Sequence, residues 1–107
     1  MNKYSADELF KIAYSHLQKK EFGKSSQLFE KLLKDYPDNL SLLRNISHAY
    51  AFSGAFKNAE ECIKKIIKIK PDEPFAYQFL ASVIKNQDKI KEMIKIVNDG
   101  LKKNLIN

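Results

Sequence analysis

The residue types that carry most enzyme chemistry are few in this sequence, and they do not form recognisable sets. Cys62 is the single cysteine, which excludes an intramolecular disulfide and a cysteine-rich metal site. His48 has no Cys, His or carboxylate at a spacing typical of metal ligands. The sequence also lacks a nucleophile–base pair, a phosphate-binding loop and an acidic pair at useful spacing. We therefore expect no catalytic residues, no metal, no cofactor and no enzymatic activity.

The charge of the chain is strongly basic, and two interpretations of it are open. The net charge is +6, and the basic residues are 18 Lys with only Arg44 besides. They are spread over all the predicted helices, and Lys lacks the planar fork with which Arg reads phosphates and base edges. A solvated Lys-rich surface is therefore favoured over nucleic-acid binding, for which a steep salt dependence would be the signature.

Nothing in the sequence predicts a membrane segment. No run approaches the roughly 20 apolar residues that a membrane-spanning helix needs, and Met1–Phe10 contains no apolar core typical of a signal peptide. With a single cysteine, this favours a reducing cytoplasmic location and no membrane partner.

A repeat of 34 residues organises the chain. Phe22–Pro37 reads FGKSSQLFEKLLKDYP and Phe56–Pro71 reads FKNAEECIKKIIKIKP, with small, large and paired apolar positions in the same places. A period of this length is typical of stacked supersecondary units. The apolar residues inside each unit recur at helical spacing, which predicts six helices joined by short turns.

The helix boundaries follow from local signals. Ser5 and Glu8 predict a capping box at the first helix, Glu21–Gly23 a tight turn, and Asp38 or Asn39 a cap on the third helix. Gly54 is placed for a left-handed C-terminal cap, Pro74 for a first helical turn, and Asp88 for the last N-cap. The predicted helices cover about residues 5–20, 24–35, 40–53, 56–69, 74–85 and 89–103.

These positions resemble the tetratricopeptide repeat (TPR) family in three tandem units. The matching residues are Leu9, Ile12, Ala13, His16, Ser25, Phe29 and Pro37, then Leu43, Ile46, Ser47, Tyr50, Ala59, Ile63 and Pro71, then Tyr77, Leu80, Ala81, Ile84, Met93 and Val97. His16 and Met93 depart from the family's aromatic and small positions. The resemblance implies an all-α solenoid of three antiparallel helix pairs in a right-handed superhelix. It would form one domain over residues 1–107, with repeats at about 6–39, 40–73 and 74–107.

The resemblance also implies a groove lined by the first helix of each pair, which in this family holds an extended or helical peptide. The residues implied to bind a partner are Phe10, Tyr14, Arg44, Asn45, His48, Phe52, Phe75 and Gln78, with Asp7, Gln18, Ser41, Ser82 and Lys85 beside them. So many aromatic side chains favour contact with a mainly apolar partner, although they could instead pack between repeats. The family's carboxylate clamp is absent, since Asn45 alone matches it and Phe10, Tyr14, Phe75 and Phe79 occupy its other positions.

The sequence thus predicts a protein-interaction module, an adaptor or scaffold that binds a partner protein or peptide in the groove. A small dedicated chaperone or assembly factor is the first alternative. A second alternative is a self-associating part of a longer repeat protein. Repeat arrays usually end in a polar capping helix, whereas here the apolar residues Leu101, Leu105 and Ile106 lie at the end of the last pair, which would expose apolar surface. That end would then form a homodimer contact.

Overall fold

The described part of the chain contains six α-helices, which follow one another with short connections. The computed structural model describes residues 4–87 and 90–103. The helices are α1 (Ala6–Gln18), α2 (Phe22–Asp35), α3 (Leu40–Phe52), α4 (Phe56–Ile69), α5 (Pro74–Asn86) and α6 (Ile90–Lys102). The substantial packing is between consecutive helices, and the molecule measures 46 × 24 × 20 Å. The predicted all-α stack of three helix pairs is therefore confirmed.

The predicted helix starts are largely confirmed. Ser5 Oγ accepts from the Glu8 amide at 3.2 Å, and the Glu8 carboxylate accepts from the Ser5 amide at 3.3 Å, which completes the capping box. Asn39 is the cap of α3, because its Oδ1 accepts from the Leu42 amide at 3.0 Å. Pro74 opens α5. The predicted cap at Asp88 lies outside the described residues.

The predicted turn between α1 and α2 is wrong in its position. Helix α1 ends at Gln18 rather than about Lys20, and α2 already begins at Phe22. Lys20 has a left-handed φ of 63°, which places the chain reversal at residues 19–21, two residues earlier than the predicted turn over 21–23. A left-handed conformation at a lysine has no clear sequence signal, so the turn was placed too late. Because the chain reverses earlier, Phe22 is the first residue of α2 and not part of the turn.

Two glycines in different backbone conformations should respond in opposite directions to substitution by alanine. Gly54 follows α3 with φ of 88°, where an alanine is strained even though a Cβ would meet no atom within 4 Å. Gly54→Ala is expected to lower the free energy of unfolding by about 1 kcal/mol. Gly23 is helical and equally open, so Gly23→Ala should raise it by about 0.5 to 1 kcal/mol. Urea denaturation followed by circular dichroism measures both, and equal signs would contradict the backbone argument.

The core runs along the stack as two connected clusters. One is centred on Phe29 and Ile46 and joins α1, α2 and α3, while the other is centred on Ile63 and Leu80 and joins α3, α4 and α5. The small residues at the repeated positions, which we expect to allow close helix approach, are all buried: Ala13, Ser25, Ser47 and Ala59 at 0% exposure and Ala81 at 8%. Met93, in a small position, is half-buried and packs against the second cluster, so α6 is also joined to the core.

Polar contacts fasten the second and third helix pairs to each other. The buried Glu60 accepts from Gln87 Nε2 and from Lys64 Nζ, both at 2.8 Å. Tyr77 Oη donates to the Pro71 carbonyl at 2.7 Å and accepts from Lys103 Nζ at 2.6 Å. These bonds fix the start and the end of the last pair against α4.

Candidate partner-binding face

The eight residues predicted to bind a partner lie on the first helices of the three pairs. Phe10 and Tyr14 are on α1, and Phe75 and Gln78 are on α5. Between them, α3 carries the remaining four: Arg44, Asn45, His48 and Phe52. We refer to the surface formed by α1, α3 and α5 as the first-helix face.

A continuous set of rings extends from α5 across α3 to the start of α2, and we call Phe22, His48, Phe52, Phe75 and Phe79 the aromatic row. His48 is at its centre, with ring centroids 5.6 Å from Phe52, 5.4 Å from Phe75 and 4.7 Å from Phe79. Phe52 continues the row to Phe22 at 5.6 Å. At these separations the rings are in contact and interact favourably, as aromatic pairs do in cores and interfaces.

The row is only partly covered by the chain. Phe52 is 60% exposed, the largest fraction among the exposed large apolar side chains in the described residues. Phe22, His48, Phe75 and Phe79 are half-buried. The stacking between repeats that was the alternative to groove use therefore occurs, but it leaves one side of the row in solvent.

Phe10 and Tyr14 form a separate pair on α1. Their rings stack with centroids 6.4 Å apart and 7° between planes. Phe10 also meets the buried Phe29 edge-on at 5.6 Å, which anchors the pair in the core, while Tyr14 is 42% exposed.

Two hollows border the aromatic row on opposite sides. The α3–α5 pocket has a volume of about 380 Å³ and is lined by His48, Phe75, Gln78, Phe79 and Ser82. The α1–α3 pocket, of about 480 Å³, is lined by Leu17, Gln18, Lys20, Phe22 and Phe52. Both linings combine rings with a few polar residues, Gln18 and Lys20 in one and Gln78 and Ser82 in the other, which suits apolar side chains of a bound segment.

Arg44 and Asn45 are engaged within the chain itself. Arg44 Nη2 donates to Glu73 Oε1 at 3.1 Å, and its Nε is buried without a hydrogen-bond partner in the described structure. Asn45 Nδ2 donates to the Ser41 carbonyl at 2.8 Å. Arg44 therefore holds the start of α5 against α3, a contact 29 residues apart that the sequence did not indicate.

Two members of the aromatic row were not among the predicted binding residues. Phe22 was assigned to a turn, and its place in α2 depends on the unusual Lys20 conformation. Phe79 follows Phe75 by four residues on α5, a spacing that puts both on one helix face and could have identified it.

Stability should depend on pH through His48. Burial among the rings lowers the pKa of His48 below its ordinary value, so the unfolded chain takes up this proton first as pH falls below about 6.5. Stability is therefore present in full above that pH and decreases below it, until the folded-state pKa is passed. His48→Gln should remove this component. Denaturation midpoints from pH 8 to 5 measure it, and parallel curves for the two proteins would refute the assignment.

Other classes of site receive no support from the described residues. Among them, no group of three or more His, Cys, Asp and Glu side chains is arranged to hold a metal ion. No helix in the same part of the chain is long and apolar enough to cross a membrane. Burial raises the pKa of the Cys62 thiol to about 11, so it remains protonated and a poor nucleophile at neutral pH.

The geometry defines a class of protein, the helical-repeat solenoid in which short helix pairs stack side by side. Comparison with known proteins gives a match to one family model and several solved structures of the same fold. Residues 41–73, which cover nearly all of α3, all of α4 and the connection to α5, match the family model of the tetratricopeptide repeat. The chain has the tetratricopeptide repeat fold, and the resemblance drawn from the sequence is confirmed.

Solved structures share this fold, and one curated protein is similar in sequence to part of the chain. MamA (AMB-1) superposes with a TM-score of 0.85 at 14% identity, over 94% of this chain and 59% of that chain. The Sgt2 TPR domain from Aspergillus fumigatus gives 0.80 at 22% identity, over 92% of this chain and 66% of that one. Human aspartyl/asparaginyl beta-hydroxylase is 25% identical over 72 residues, which are 67% of this chain and 10% of that protein. The chain thus spans only part of each.

Proposed function

We propose that this chain is a protein-interaction module that binds a segment of a partner protein along the first-helix face. The observation that carries the proposal is the aromatic row, five contacting rings from three helices, in which Phe52, between Phe22 and His48, is 60% exposed. Exposed aromatic surface is unfavourable in water and is a common anchor of protein interfaces. The role we propose is binding rather than catalysis, because the two pockets on this face are lined mainly by rings, which provide contact area for a partner.

The arrangement supports a bound segment rather than a small molecule. The two pockets are lined by different members of the aromatic row, Phe22 and Phe52 in one and His48, Phe75 and Phe79 in the other, instead of converging on one deep cavity. A chain segment can place side chains in both pockets while its backbone passes over His48 and Phe52. The polar edge residues Gln18, Gln78 and Ser82 would then face its backbone.

Affinity capture with matched variants tests the proposal. The wild-type chain, Phe52→Ala and Ile69→Ala are used as baits in a native extract, and captured proteins are identified by mass spectrometry. Ile69 is also apolar and 39% exposed, but it ends α4 away from the face. We expect a partner that wild type and Ile69→Ala retain and that Phe52→Ala loses at least tenfold.

Nuclear magnetic resonance with the captured partner's binding segment then locates the contact. Amide shifts should concentrate on α3 and α5, around His48 and Phe75. Shifts confined to α2, α4 and α6, or equal capture by all three baits, would contradict the proposal.

A second candidate function, self-association, is favoured by α6. Ile94 is 52% exposed and Leu101 is 45% exposed, seven residues apart on one side of the last helix. A second copy of this chain could cover them. Sedimentation equilibrium across a wide concentration range decides: a dimer abolished by Ile94→Glu supports it, and a strict monomer rules it out.

A further inference from the structure

The chemistry of the first-helix face also indicates which kind of partner segment it takes. We infer that the partner segment is acidic and amphipathic, with two bulky apolar side chains, one for the α1–α3 pocket and one for the α3–α5 pocket. This inference rests on the proposed function and specifies its ligand. It is argued from the lining of the pockets, from their spacing and from the charges around them.

Because both pockets are lined by rings, we expect the partner segment to supply two apolar side chains, one for each pocket. The α1–α3 pocket is closed by Phe22 and Phe52, and the α3–α5 pocket by Phe75 and Phe79. Each volume, about 480 and 380 Å³ respectively, has room for a leucine, methionine or aromatic side chain. Filling only one pocket would leave the rings of the other exposed to water.

The spacing between the pockets fits a short segment. They flank the stacked His48–Phe52 pair, whose ring centroids are 5.6 Å apart, and the outer rings add one further step of 4.7 to 5.6 Å on each side. A helix rises about 5.4 Å per turn, so two anchors one to two turns apart would reach both pockets. A segment of roughly four turns is therefore long enough to carry both anchors and flanking charges.

The charges around the pockets favour acidic flanks. The residues that line the two pockets include Lys20 and no carboxylate, and exposed Lys85 follows Ser82 on α5 by three residues. Acidic groups close to the lining residues along the chain are engaged: Glu21 with His16 at 2.9 Å and Lys24 at 3.4 Å, and Glu73 with Arg44 at 3.1 Å and Lys70 at 3.5 Å. The whole chain carries +6. An acidic segment would be attracted to this face and a basic one repelled.

Selection from a display library tests the inference without knowing the partner. The probe is a library of random linear 16-residue peptides, selected on the wild-type chain. We expect the enriched peptides to have a net negative charge and two large apolar residues three to seven positions apart. Replacing either apolar residue by alanine should weaken binding at least tenfold in fluorescence polarisation.

Variants of the chain separate the two parts of the inference. Phe52→Ala should weaken the selected peptides at least tenfold through the α1–α3 pocket, and Ser82→Glu should do the same through the α3–α5 pocket. The double variant Lys20→Glu, Lys85→Glu should weaken binding several-fold and reduce its salt dependence. The matched control Lys57→Glu, Lys68→Glu makes the same charge change on α4, where both lysines are exposed, and should have a smaller effect.

Failure of the inference is distinguishable from failure of the proposed function. Peptides that bind through Phe52 but are basic, or carry a single anchor, would overturn the inference and leave an interaction module. Displacement of the peptides by an equal concentration of oligothymidylate would overturn it in favour of single-stranded nucleic acid, for which rings and lysines also provide a platform. Failure to select any peptide would count against both proposals.

Discussion

Phe29→Ala is expected to lower the free energy of unfolding by about 3 to 5 kcal/mol, which is the usual range for deleting a buried phenylalanine ring. Phe29 is 0% exposed and lies in the cluster that joins α1, α2 and α3. Its ring also supports Phe10, 5.6 Å away. Since small domains are stable by only about 5 to 15 kcal/mol, this single change would remove much of the stability of the chain. Urea denaturation followed by circular dichroism at 222 nm measures it.

The matched control is the same substitution at an exposed position. Phe52→Ala removes an identical ring that is 60% exposed, so we expect a loss below about 1 kcal/mol, as for surface substitutions. The control has a second use, because a stable Phe52→Ala protein that no longer captures its partner shows loss of binding without loss of fold. Similar losses at both positions would mean that the packing described here is wrong.

Ala59→Leu is expected to destabilise the chain by about 1 to 3 kcal/mol or to prevent folding, because it inserts volume into a filled core. Ala59 is 0% exposed. It belongs to the cluster that includes Leu43, Ile63 and Leu80, so the extra methylene groups would force α4 away from its neighbours. The effect should appear as a lower thermal midpoint, roughly 4 °C or more per kcal/mol for a domain of this size.

Lys57→Leu is the control for this prediction. Lys57 lies two residues earlier on α4 and is exposed, so the same leucine meets solvent there and should change the midpoint little. A tolerant Ala59→Leu protein would show that the helices do not approach closely at this position, contrary to the role assigned to the small residues of each pair.

The fold could be predicted from the sequence because its determinants are local and repeated. The capping box at Ser5, the left-handed Gly54 and the fully buried Ala13 and Ala59 each follow from residue type and spacing. A period of 34 residues then leaves few ways to arrange six helices. The turn before α2 was misplaced because its conformation depends on Lys20, whose left-handed φ contradicts the preference of its residue type.

The candidate site was less predictable, since it depends on contacts between repeats. Periodicity placed His48 and Phe52 on α3, and they are indeed joined there by stacking. It did not indicate that Arg44 is held by Glu73, because ion pairs between distant residues leave no mark on local spacing. Periodicity also did not predict the contact between Phe22 and Phe52, because Phe22 was assigned to a turn and not to the start of α2.

Consecutive packing has a consequence for how the molecule behaves as a whole. Since the substantial helix contacts join neighbours along the chain, opening of the first or last hairpin breaks few contacts elsewhere, and its energy is set locally. A bound segment that lay across α1, α3 and α5 would tie together hairpins that the polypeptide joins only in series. Binding of such a segment would then raise the free energy of opening the first and last helix pairs, so that the complex unfolds from its ends less readily than the free chain.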